Sequence, residues 1–124
     1  MTARASDDLL CFSAARLASA PARALVAVVR VGEAPVGLSA VRGGSLIVVA
    51  DSNRYGVPGA TADLDVVNVA DALAGRTPAV LGHVPAGAFP REMAAGTGGD
   101  GALLVTNNLS GQLEVVDVSS LPGG

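Results

Sequence analysis

The sequence predicts an all-β protein assembled from repeats of a four-stranded antiparallel sheet, and three observations carry that expectation. First, its apolar runs are short and β-branched, such as Leu46-Ile47-Val48-Val49-Ala50, and they are bounded by Gly, Pro, Asp and Ser. Second, the chain of 124 residues holds 16 Gly and 7 Pro but no Trp, two Phe and one Tyr. So many breakers disfavour a helical bundle, and the core has to be aliphatic. Third, the runs recur. Pro35 and Pro90 stand 55 positions apart in related boxes, and Thr2 to Cys11 aligns with Thr106 to Val115, two periods later.

The repeat defines each element. Val29-Arg30-Val31-Gly32-Glu33-Ala34-Pro35 returns as Val84-Pro85-Ala86-Gly87-Ala88-Phe89-Pro90. A first strand follows each box, strand A, at Gly37 to Val41 and Glu92 to Ala95. After a glycine turn comes strand B, Leu46 to Ala50 and Leu103 to Thr106; letter matching aligns Leu46–Asp51 with Leu103–Asn108. Strand C is Leu64 to Val69 and Leu113 to Val118, and strand D is Leu25 to Arg30 and Val80 to Val84. Imperfect polar–apolar alternation suits strands covered on both faces. Ala14 to Leu25 is Ala-rich, but Pro21 limits a helix there to a turn or two.

Four strands at a period near 50 is the arithmetic of a β-propeller blade, so the chain reads as a β-propeller fragment of about two and a half blades. Residues 1–30 form an incomplete first blade, 31–84 a complete middle blade, and 85–124 a last blade lacking its outer strand. The exposed blade edges are expected to make the isolated chain unstable or self-associating. Asp51 to Asp63 is expected to be a loop without a strand of its own, since Gly56, Pro58 and Gly59 disfavour ladder pairing.

Val105-Thr106-Asn107-Asn108, the strand Leu113-Glu114-Val115-Val116-Asp117-Val118 and the Val31-Gly32-x-x-Pro35-x-Gly37-Leu38 box resemble the YVTN-repeat β-propeller family. That family includes surface-layer-type propellers and lactonase-like proteins. The resemblance implies a propeller, commonly exported, with either a binding role or a hydrolytic one. It assigns no particular ligand, because the fold hosts several activities.

Motifs for other chemistries fail on context. Gly96-Thr97-Gly98-Gly99-Asp100-Gly101 matches a dinucleotide fingerprint in letters, but it precedes a strand rather than opening a helix. It reads as the A–B turn, with Asp100-Gly101 supplying positive φ. Lys is absent, which excludes a P-loop, and the eight Arg form no basic stripe, so nucleic acid is not an expected partner. His83 is the only histidine and has no companions at zinc or haem spacing. The single Cys11 excludes an internal disulfide and reads as a small buried hydrophobe. Asn108-Leu109-Ser110 fits a glycosylation sequon. No run approaches the ~20 apolar residues of a membrane span, and the first residues lack the pattern of a signal peptide. No cofactor, no metal site and no catalytic residue is assigned.

One grouping carries a binding hypothesis. Strands running alternately up and down bring the D–A and B–C connections to one end of the blades. Asp51, Asn53, Arg54, Tyr55, Asn107 and Asn108 lie on B–C connections, and Arg91 and Glu92 at the start of a strand A. These eight residues are the candidate contacts for an unknown small molecule or protein. The expected function is a non-enzymatic binding or scaffolding segment, with a lactonase-like hydrolase as the alternative.

Overall fold

The computed structural model describes residues 1–96 and 101–123 and contains three antiparallel sheets that follow one another along the chain. β1 (Thr2–Ala3), β2 (Asp8–Phe12) and β3 (Leu25–Arg30) form the first sheet. β4 (Pro35–Val41), β5 (Leu46–Asp51), β6 (Asp63–Asn68) and β7 (Val80–Pro85) form the second. β8 (Pro90–Ala95), β9 (Ala102–Asn107) and β10 (Gln112–Asp117) form the third. Within each sheet, strands adjacent in sequence pair with one another. The protein is therefore all-β, and each expected strand is present to within two residues at either end. The two turns of helix between β2 and β3 are a short α1 (Ala14–Ser19) and a 3-10 turn opened by Pro21.

The sheets stack through their side chains, with the middle one between the other two. Side chains alternate along a strand, and the alternation divides the core. Leu46, Val48 and Ala50 of β5 and Leu64 and Val66 of β6 pack with Leu103, Val105 and Val116 of the third sheet. Val49 and Val67 point the other way, onto Leu9, Val29 and Val31. Leu64, Val66, Leu103 and Val105 are wholly buried. Each is worth about 1.5–3 kcal/mol relative to exposure. Edge strand β4 adjoins both β1 and β8. The Thr2 hydroxyl donates to the Val36 carbonyl at 2.7 Å, and a Cβ on Gly37 would overlap the Arg91 carbonyl oxygen. Gly37 thus lets two backbones meet directly.

Four readings from sequence need correction or a limit. Strand C ends at Asn68 and Asp117, one residue earlier than expected. Asn68 Oδ1 accepts from the Asp71 N–H at 2.9 Å and starts α2 (Val69–Leu73), while Asp117 Oδ1 accepts from the Ser119 N–H at 2.8 Å and starts a 3-10 turn. Cys11 is half-buried rather than buried. The register also moves the repeat by one residue: Asp51 opposes Pro35 and Asn107 opposes Pro90, so Asp51 corresponds to Asn107 and not to Asn108. The expected A–B turn at Gly98 to Gly101 falls largely outside the described residues, although the Gly96 N–H does donate to the Ala102 carbonyl at 2.8 Å.

The Asp51–Asp63 connection has no strand or helix of its own. The outward faces of the two flanking sheets keep apolar residues in solvent. Val28 of β3 is 54% exposed, and Leu113 and Val115 of β10 are 64% and 65% exposed. Among the described residues no helix is long and apolar enough to cross a membrane.

Candidate functional site

The D–A and B–C connections meet at one end of the sheets, and they are joined in the same way twice. Around the middle sheet, the Ser52 N–H donates to the Ala34 carbonyl at 3.3 Å and the Asn53 N–H to the Glu33 carbonyl at 2.9 Å. Around the third, the Asn108 N–H donates to Phe89 at 2.8 Å and the Leu109 N–H to Ala88 at 3.1 Å. Ala34 and Phe89, each before the box proline, both take positive φ, at 54° and 59°. The box glycine has a spatial cause as well. A Cβ on Gly32 would lie 2.8 Å from Asp51 Cγ, and one on Gly87 2.8 Å from Asn107 Cγ. Only glycine lets the last side chain of strand B pass so close to this backbone.

Four of the candidate residues lie in two clefts at this end. Arg54, Arg91 and Glu92 come together, along the edge strands, in a cleft of about 330 Å³ lined also by Thr2, Arg4 and Phe89. Arg91 and Glu92 are 3.8 Å apart and both well exposed, so that ion pair contributes little. Asn107 lies in a second cleft with Glu114, and its Nδ2 donates to Glu114 Oε2 at 2.8 Å. Asn53 is occupied within its own loop, donating to the Ala60 carbonyl at 3.1 Å and accepting from the Val57 N–H at 3.0 Å. Tyr55 and Asn108 are exposed on their loops.

Asp51 is different from all of these. It is fully buried, and neither carboxylate oxygen has a hydrogen-bond partner. It sits with Asp63 and Asp65, and one oxygen from each of the three lies within 4.8 Å of the others. At that separation two carboxylate charges repel by roughly 3–4 kcal/mol at an effective dielectric near 20. Burial, then the charges of Asp65 and Asp63, push the Asp51 carboxyl up to about 8. Burial and Asp63 raise Asp65 as well, against the Gly32 N–H, which donates to Asp65 Oδ2 at 3.1 Å, and the nearby His83. His83 pairs across the ladder with Asp65 and shares with Asp63, Asp65 and Thr61 a third cleft of about 420 Å³.

Sequence reasoning missed Asp63, Asp65, Glu114 and Arg4. A signal for the acids was present: Asp63 and Asp65 are two apart on one strand and must share a face, and Asp51 ends the strand beside them. No family model matches this sequence, and a search among curated proteins finds no match.

Proposed function

We propose that this chain is a non-enzymatic binding module built from β-propeller blades of the YVTN-repeat type, and that its ligand is a small anion or an acidic group on a partner. The order of the sheets, the meeting of edge strand β4 with β1 and β8, and the doubly repeated junction of D–A and B–C connections all support the propeller reading. One observation carries the ligand class: Arg4, Arg54 and Arg91, from three different parts of the chain, line the same cleft against a single acid, Glu92. A guanidinium fork matches carboxylate and phosphate geometry.

Phosphate and citrate serve as probes in an NMR titration of the full chain. The reading expects amide shifts at Val36, Phe89 and Arg91, with saturation at millimolar anion and loss in Arg54→Ala/Arg91→Ala. Absent shifts for both anions overturn it. Turnover of simple lactones, abolished by Arg91→Ala, would transfer the case to the hydrolase.

A further inference from the structure

We propose that Asp51, Asp63 and Asp65 form a binding site for a divalent cation of the calcium type, on the face of the middle sheet that meets the first sheet. The placement follows from strand parity and register. Asp51 stands directly across the ladder from Asp63, and Asp65 is two residues on, opposite Val49, so all three project from the same face. A buried carboxylate without any donor is rare, because both its charge and its lone pairs lose water on folding. Asp51 is in that position with both oxygens. The absent side chain of Gly32 leaves room for it, and the Gly32 N–H, which faces both acids, makes its hydrogen bond to Asp65 Oδ2.

The third sheet provides an internal control on the same backbone. Ladder positions equivalent to Asp51, Asp63 and Asp65 hold Asn107, Gln112 and Glu114. There the buried amide of Asn107 donates through Nδ2 to the one carboxylate, only its Oδ1 is without a partner, and the trio of carboxyl groups is gone. The first sheet has Ala3, Asp8 and Leu10 at the matching positions. The three-acid set is therefore particular to the middle sheet and is not a requirement of the blade framework.

Oxygen donors alone select a hard cation. Ligand number then favours calcium, which takes several carboxylates in a flexible shell, whereas magnesium demands near-ideal octahedral geometry and is usually held through one or two carboxylates with its waters kept. Here three carboxyl groups converge, one oxygen of each within 4.8 Å of the others. The adjoining cleft past Thr61 and His83 gives access and space for the waters that complete the coordination shell. This site is separate from the arginine-lined mouth, and its test does not depend on that reading.

The test is calorimetric titration of EDTA-stripped full chain with calcium chloride and then magnesium chloride at neutral pH, paired with thermal melts. One calcium per chain, a midpoint raised by several degrees at saturation and at least tenfold weaker magnesium are expected. Asp63→Asn, at a half-buried position, should weaken calcium at least tenfold and leave the metal-free midpoint nearly unchanged. Asp51→Asn should remove the calcium response while melting no lower than wild type in EDTA. Absence of heat and of a midpoint shift up to ~10 mM calcium, beyond the weak end of protein sites, overturns the proposal. Magnesium binding as strong as calcium overturns the calcium assignment, and an unweakened Asp63→Asn removes that residue and the trio with it.

Discussion

Replacing Asp51 by asparagine should make the metal-free protein more stable at alkaline pH, contrary to the usual cost of altering a buried polar residue. In the folded chain the Asp51 carboxyl titrates near 8 rather than at 3.8. Between those values the folded state keeps a proton that the unfolded chain has released. Stability therefore falls as pH rises through that window and levels off above about 8. The whole interval corresponds to an upper limit on the order of 6 kcal/mol, at about 1.4 kcal/mol per pH unit. Asp65, raised in the same direction, adds to the slope. An amide at position 51 removes the ionisable group and can donate to Asp65, as Asn107 does to Glu114. A charge-assisted bond of that kind is worth about 1.5–3 kcal/mol. The expected gain at pH 8.5 is about 2–4 kcal/mol, shrinking toward zero at pH 4. Urea denaturation of both proteins in EDTA at several pH values measures it. Parallel pH profiles, or a variant less stable at pH 8.5, would refute the reasoning.

Three further outcomes test the packing. Gly37→Ala should lower stability by about 1–3 kcal/mol or more, because its Cβ meets the Arg91 carbonyl of the adjoining sheet rather than a side chain that can rotate away; a urea midpoint equal to wild type would contradict the close contact of β4 and β8. Leu103→Ala, at a fully buried position between the second and third sheets, should cost about 2–5 kcal/mol in the same assay, and a loss under ~1 kcal/mol, the range of tolerated swaps, would place that side chain outside the core. The apolar strips at Val28 and at Leu113 and Val115 should drive concentration-dependent association in sedimentation velocity; Val28→Thr/Val115→Thr should shift the population toward monomer, and a wild-type monomer at every concentration would dismiss those faces as contacts.

Strand positions were legible because each is a β-branched run closed by a turn residue, as at Leu46–Asp51 and Asp63–Asn68. The short helix Val69–Leu73 was not, since Val69 extends the apolar pattern of β6 and five residues are too few to show a helical period. Its sign was the cap at Asn68. Matching letters placed Asp51 with Asn108, and only the ladder register showed Asn107 as its counterpart. That shift also hid why Gly32 and Gly87 recur: each faces the side chain that ends strand B. Arg54, Arg91 and Glu92 of the candidate group line one cleft. Asp51 lies at the same end of the sheets, but its carboxyl groups with Asp63 and Asp65. Loop order reveals which end of a sheet a residue occupies; side-chain parity decides which face it joins.

The most direct measurement is an anomalous difference map from crystals grown with manganese, which takes oxygen ligands and scatters strongly enough to be located. The account predicts one peak among Asp51, Asp63 and Asp65, within ligand distance of an oxygen from each, and no peak beside Asn107 and Glu114. An empty trio, with the Asp51 carboxyl turned to share a proton with Asp65, would contradict it.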